Sequence, residues 1–282
     1  MVSLSAFLAF LPALALGAGM GFFGGLFGIG GGIIAIPLLV LAYGMDQALA
    51  QGTALVMMVP NLLIGWWRYS QHHPVPKGRA LAIGLLAMAT TWLVAHGATH
   101  LPSAVLRVIF SLFLMGLALR LIWQLRASQG AATMPGHDAS ASEEEEVGAH
   151  SQKLGPTAAA GLSPRWLPLV GVVGGSSMGL LGIGGGLVAT PIFTGLFRLR
   201  QTVAQSLSLA LVAPSSVVAL AGYAGAHRVD WHMGLPLALS GMVTVSSGVA
   251  LAHRLPERRM KTLFAWMLLG AGGWLLLGML WR

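Results

Sequence analysis

The chain has 282 residues, of which 56% are apolar and only 9% charged, with a mean hydropathy of +0.77. A soluble domain carries about 25% charged residues, so this composition cannot build a water-facing surface, and a polytopic membrane protein is the class that fits. Cysteine is absent, which excludes disulfides, thiolate catalysis and thiolate-held metal; the net charge of +8 lies between apolar runs, not on a soluble face that would bind nucleic acid.

In chain order, an apolar stretch runs to Phe27 and is followed by a glycine cluster, Gly28-Ile29-Gly30-Gly31-Gly32. Its start has the small apolar look of a signal peptide but lacks a basic leader. A shorter apolar stretch covers Ile33–Tyr43, and spans are expected near 48–68, 80–98 and 105–125. Residues 127–165, rich in Ser, Ala, Gly and Pro and carrying the run Glu143–Glu146, read as a solvated flexible linker. The pattern then returns at 166–181, 187–197, 203–223, 233–252 and 262–281. Unbroken runs such as Leu207–Ala226 and Leu263–Trp281 exclude the alternating strands of a transmembrane barrel.

The return is a repeat. Gly182-Ile183-Gly184-Gly185-Gly186 lies 154 residues after the first cluster, and the same offset pairs Pro37 with Pro191, Gln51 with Gln205, Pro60 with Pro214, Tyr69 with Tyr223 and Phe110 with Phe264. Upstream it pairs Gly17, Gly21 and Gly25 with Gly171, Gly175 and Gly179. One register held without gaps over about a hundred positions marks two homologous halves. The expected organisation is a first transmembrane repeat at 1–126, the linker, and a second repeat at 166–282. The first twenty residues have an internal counterpart, so they belong to the fold.

The apolar stretches beside each cluster are expected to reach only about 15–25 Å, against a hydrocarbon core of about 30 Å, so each opening region is either one broken span or a hairpin. Basic residues choose between these. With hairpins, one side collects Arg68, Lys77, Arg79, Arg120, Arg126, Lys153, Arg165, Arg198, Arg200, Arg254, Arg258, Arg259 and Lys261, and the other only Arg107, Arg228 and Arg282, a split of 13 to 3. Single spans give 9 to 7. The positive-inside rule selects hairpins. A hairpin plus three spans is an odd number of crossings, so the halves are expected to be inverted repeats, with both termini outside and the linker cytoplasmic.

Inverted repeats are a mark of secondary transporters, whose site lies near the midplane between repeats. Two hairpins entering from opposite faces would bring the backbones of Gly28, Gly30, Gly31 and Gly32 near those of Gly182, Gly184, Gly185 and Gly186. The half-helix after each cluster turns its free N–H groups towards the tip, where an anion is favoured. Gln51 and Gln205, with Asn61 and Ser215 beside Pro60 and Pro214, are candidate side-chain donors; helix-to-helix hydrogen bonding is the competing role. Thr53, Thr190, Ser206, Ser208 and Ser216 are weaker candidates. Close helix packing explains Gly17, Gly21 and Gly25. Gly19-x-Gly21-x-x-Gly24 lacks the preceding strand of a dinucleotide site and is rejected.

All eight acids lie outside the apolar runs. Neutral donors without a carboxylate suit an anionic substrate, and coupling to protons would have to use a histidine or a loop acid. His96 and His100 are spaced to share a metal, but no third ligand is near in sequence, and neither a metal nor a cofactor is expected. Trp66, Trp67, Trp231, Tyr69 and Tyr223 read as interfacial anchors, with gating as the alternative for the two tyrosines.

The run Gly21-Phe22-Phe23-Gly24-Gly25-Leu26-Phe27-Gly28-Ile29-Gly30-Gly31-Gly32, followed by Pro37 and Ala50-Gln51-Gly52-Thr53, resembles the sulfite exporter TauE/SafE family of bacterial membrane permeases. The second copy carries Gly175–Gly186, Pro191 and Ala204-Gln205-Ser206. The resemblance implies a secondary transporter, commonly an exporter, of small sulfur-containing anions such as sulfite or organosulfonates in the inner membrane. An anion channel of the same architecture is the alternative. An enzyme would need a buried nucleophile with its base, and none is visible.

Overall fold

The computed structural model describes residues 4–27, 31–72, 77–131, 167–197, 201–252 and 257–280, all in or beside ten α-helices, with no strand among the described residues. The first five are α1 (Leu4–Phe27), α2 (Gly32–Ala42), α3 (Gln47–His72), α4 (Lys77–His100) and α5 (Ser103–Ala131). The others are α6 (Leu167–Leu181), α7 (Gly186–Gly195), α8 (Gln201–Gly225), α9 (Trp231–Ala252) and α10 (Glu257–Leu280). The starts of α7, α8, α9 and α10 each fall 154 residues after those of α2, α3, α4 and α5, so the sequence register carries into the helices. Among the described residues, five helices are long and apolar enough to cross a membrane, within α3, α4, α5, α8 and α10.

Two boundaries differ from the sequence expectation. α1 has 24 residues, about 36 Å at 1.5 Å per residue, and so exceeds the 15–25 Å expected of it. Proline is tolerated inside it at Pro12, because lipid-embedded helices can re-satisfy a freed carbonyl. α5 continues to Ala131, past the expected linker start at 127. The acidic run Glu143–Glu146 lies outside the described residues.

The packing is symmetric on exchange of the halves. α1 packs on α9 as α6 packs on α4, α3 on α9 as α8 on α4, and α2 on α3 as α7 on α8, while α3 meets α8 and α5 meets α10. The spans in α3 and α8 are each 61% buried and those in α5 and α10 only 28%, which puts α3 and α8 at the centre.

Small residues make the two long seams. A side-chain carbon placed on Gly17 would fall 2.6 Å from the Leu237 Cα, and on Gly21 or Gly25 it would strike the backbone of Gly241 or Val245. In the mirrored seam, Gly171, Gly175 and Gly179 meet Ile83, Ala87 and Thr91 in the same order. Association in lipid depends on such close van der Waals approach, since burying apolar surface gains little there. Side-chain hydrogen bonds lock both seams: Thr91 Oγ1 donates to the Gly175 carbonyl at 2.9 Å and Thr244 Oγ1 to the Ala18 carbonyl at 2.7 Å.

These contacts also give helix directions. Residues 17, 21 and 25 meet 237, 241 and 245, so α1 and α9 are parallel; Gly52 lies against the Arg228 carbonyl just before α9 and Val56, one turn on, against Gly234, so α3 is parallel to both. α3 and α8 run oppositely, because Gln51 near the start of α3 meets Tyr223 near the end of α8. Since α1 and α3 point the same way, the short α2 between them returns the chain.

Candidate functional site at the glycine turns

α6 ends at Leu181 and α7 begins at Gly186, and the turn between them needs glycine: Gly182 has φ +65° and Gly184 φ +88°. In this left-handed region a Cβ costs about 1–2 kcal/mol. In the first half Gly31 has φ +83° and forms the N-cap of α2, whereas its repeat mate Gly185 has φ −59°. Gly28 and Gly30 lie outside the described residues. Gly185 caps α7, and neither cap supplies a side-chain hydrogen bond; the first turns are closed by backbone bonds instead, with Ile34 N–H donating to the Gly31 carbonyl at 3.1 Å and Val188 N–H to the Gly185 carbonyl at 3.2 Å.

Both turns reach the middle of α3. A Cβ on Gly32 would collide with Met58 Sδ, one on Gly31 would lie 2.7 Å from Met57 Cε, and one on Gly184 would lie 3.7 Å from both Met58 Cε and Val212 Cγ1. Met58, fully buried, therefore lies against glycines of both turns. Gly185 packs directly on Gly174 of α6, and a Cβ on Gly186 would stand 3.5 Å from Val212 Cγ2, so their closest neighbours are helix-packing ones.

Gln51 is fully buried beside the second turn, where a Cβ on Gly182 would be 3.3 Å from the Gln51 Cβ. Its Oε1 accepts a 2.9 Å hydrogen bond from the Tyr223 hydroxyl, which also lies 3.1 Å from the Gly179 carbonyl. The Gln51 Nε2 is buried with no partner among the described residues. Leaving a buried donor unmade costs about 1–3 kcal/mol, so an unused amide at a glycine turn is a feature to explain.

The other expected donors divide. Asn61 also has a buried Nδ2 without a partner among the described residues, but it stands ten residues along α3 from Gln51. Ser215 gives its proton to the Leu211 carbonyl of its own helix at 2.7 Å, and Ser216 does the same to Ala213. Thr190 donates to Ser208 Oγ at 2.8 Å, linking α7 to α8. Thr53 accepts from the Asp230 N–H at 3.0 Å. Gln205 is on α8, but its side chain, like those of Ser206 and Tyr69, lies outside what the structure describes.

Tyr223 corrects the sequence reading. It is fully buried, with its hydroxyl bonded to Gln51, and is not an interfacial anchor. A buried phenol needs a partner, and two acceptors are supplied, Gln51 Oε1 by α3 and the Gly179 carbonyl by α6. Gln47 is absent from the expected donors, yet it is fully buried with neither amide atom paired among the described residues. Its repeat mate is Gln201 at the same 154-residue offset, which is the signal that would have found it.

The electrostatics are those of a neutral, donor-rich interior. Helices α1 to α9 contain no Asp or Glu. Asp46 and Asp230 sit at helix starts, where Asp46 Oδ1 accepts from Leu49 N at 2.8 Å and Asp230 Oδ1 from Met233 N at 3.1 Å. Arg228 pairs with Asp46 at 2.6 Å, which puts the loop before α3 and the loop before α9 at one end of the bundle. A single-span reading of the opening regions would hold these loops at opposite ends. His96 and His100 have ring centres 5.0 Å apart, and no group of three metal-binding side chains occurs among the described residues.

Comparison with known proteins agrees with this architecture. The chain is 25% identical over 246 residues to a protein of Methanocaldococcus jannaschii named "Probable membrane transporter protein", covering 83% of this chain and 81% of that one. No solved structure matches significantly. The family model described as sulfite exporter TauE/SafE matches residues 13–275, nearly the whole helical bundle, and the chain therefore belongs to this family of membrane transport proteins.

Proposed function

We propose that the protein is a secondary transporter of small sulfur-containing anions, such as sulfite or organosulfonates, working by alternating access around a site between the two glycine turns. The observation that carries this reading is the Gln51 amide. It is buried at the second turn, its Oε1 is held by Tyr223, and its Nε2 is left to donate to something outside the described residues. An oxyanion fits, because the positive dipole ends of α2 and α7 lie at these turns and no carboxylate in α1 to α9 repels it.

The halves act as inverted repeats in the inner membrane, with both termini outside and the linker in the cytoplasm. The antiparallel run of α3 and α8 and the 13-to-3 division of basic residues support this orientation. The direction is export. Access alternates when the bundle of α1, α3 and α9 rocks against that of α4, α6 and α8, with Met58 and Gln51 at the junction.

The test is Gln51→Leu, which keeps the side-chain volume and removes the donor. Sulfite transport should be lost while expression and thermal stability stay near wild type. Undiminished transport would remove Gln51 from the site.

A further inference from the structure

We infer that Met58 sets the size of the anion accepted between the glycine turns, an inference that rests on the function proposed for that site. It admits sulfite and holds out sulfonates that carry an organic group. Met58 is fully buried in the middle of α3 and lies against both turns. A Cβ on Gly32 of the first turn would collide with its Sδ, and one on Gly184 of the second would lie 3.7 Å from its Cε. Its repeat mate on α8 is Val212, also buried but shorter. The Val212 γ carbons stand 3.7 Å and 3.5 Å from Cβ positions on Gly184 and Gly186, both in the turn of its own half. The Met58 side chain therefore spans from one turn to the other, while Val212 stays on its own side.

Gln51 and Met58 are seven residues apart on α3, two turns along one helix face, and so about 10 Å apart along its axis. Between them on that face is Ala54, small and fully buried. Both ends of this stretch meet the second turn, Gln51 at Gly182 and Met58 at Gly184. An anion that accepts from Gln51 Nε2 turns its far side towards Met58. That far side is where two substrate classes differ: sulfite has a lone pair on sulfur opposite its oxygens, and a sulfonate has carbon there. The oxygens of both suit the same neutral donor, so what separates them is space. An unbranched thioether can adjust by the width of a lone pair, but close packing leaves no room for an alkyl group beside it. The competing role for Met58 is helix packing alone, which predicts the same preference among anions whatever side chain stands there.

Competition against ³⁵S-labelled sulfite counterflow, in liposomes of the purified full-length protein, separates these accounts. In wild type, unlabelled sulfite should compete best, methanesulfonate weakly and ethanesulfonate less still. Met58→Val, which places the residue of position 212 here, should lower the ratio of the ethanesulfonate to the sulfite inhibition constant by about tenfold, the discrimination that one methylene of pocket space gives. Met58→Leu, of similar volume, should shift the ratio much less. Met57→Val is the same truncation at the neighbouring buried methionine, which packs between Gly31 and Gly241, and it should leave the ratio as in wild type. Ethanesulfonate that competes with wild type as well as sulfite does overturns the inference without any variant having to fold. So does a ratio unchanged in Met58→Val, or shifted equally in Met57→Val. Any of these results beside sulfite counterflow that Gln51→Leu abolishes would refute the role of Met58 and leave the site standing. Absence of saturable sulfite counterflow in wild type would refute the proposed function and this role with it.

Discussion

The Tyr223 hydroxyl donates to Gln51 Oε1 at 2.9 Å across 172 positions of sequence, joining the end of α8 to the start of α3. The bond has two consequences. It shows that repeat-mate helices pass each other in opposite directions, and it fixes the Gln51 amide so that the nitrogen is the end left over. Tyr223→Phe removes the donor and leaves Gln51 Oε1 and the Gly179 carbonyl without it. Hydrogen bonds between membrane helices contribute about 0.6 to 1.7 kcal/mol, so a loss of about 1 kcal/mol is expected in detergent unfolding. Transport should fall as well, because Gln51 is free to turn. A variant with wild-type stability and flux would show that the bond orients nothing.

The glycine seams predict opposite outcomes for two neighbours on α1. Gly21 lies against the Gly241 backbone, whereas Gly19 has nothing within 4 Å of where a Cβ would stand. Gly21→Ala should destabilise the protein by about 1–3 kcal/mol through overpacking. Gly19→Ala should be neutral or slightly stabilising, since alanine is the better helix former. Thermal melts of the two variants check this, and equal effects would mean that α1 does not seat on α9 as described.

The second glycine turn is a matter of backbone, not only of space. Gly184 has φ +88°, and a Cβ there would stand 3.7 Å from its nearest neighbours, so alanine fits sterically but is strained. Gly184→Ala should destabilise by about 1–2 kcal/mol and reduce transport, as α7 re-aims its first N–H groups. Stability at the wild-type level would place the turn in another conformation.

A chain without cysteine is well suited to mapping sides. Asp46→Cys and Arg228→Cys, made together, should be joined by a short bifunctional thiol cross-linker, because the loops that carry them meet in an ion pair that spans the length of an arginine side chain. Singly, each should react with an impermeant reagent from outside, and Ser140→Cys only after the membrane is opened. Labelling at 140 in intact cells would reverse the proposed orientation. The ion pair itself, with side chains 41% and 38% exposed, should contribute no more than about 1 kcal/mol.

Much of the fold is legible in the sequence because the repeat is a global signal. Helix starts at Gly32, Gln47, Lys77 and Ser103 recur at Gly186, Gln201, Trp231 and Glu257, and no local propensity has to be trusted to find them. The glycine clusters are legible as helix breaks for the same reason that they form turns, since φ near +65° to +88° is open to little else. The length of α1 is not, because an apolar stretch with an internal proline gives no sign of where a helix ends. Tyr223 misleads because an aromatic near a span's end looks alike whether it faces lipid or a crossing helix. What decides is the partner, Gln51, in the other half of the chain. Gln47 gives no local sign because burial at a helix start depends on the α5 corner packing against it.

The central claim is that this is a carrier with one saturable path for a small sulfur-containing anion, and counterflow measures it most directly. Purified protein is placed in liposomes loaded with unlabelled sulfite, and ³⁵S-labelled sulfite is added outside. A carrier predicts a transient accumulation of label above its equilibrium level that saturates with outside concentration and is absent with Gln51→Leu. Label that only equilibrates, at a rate linear in concentration and equal in the variant, would contradict the account.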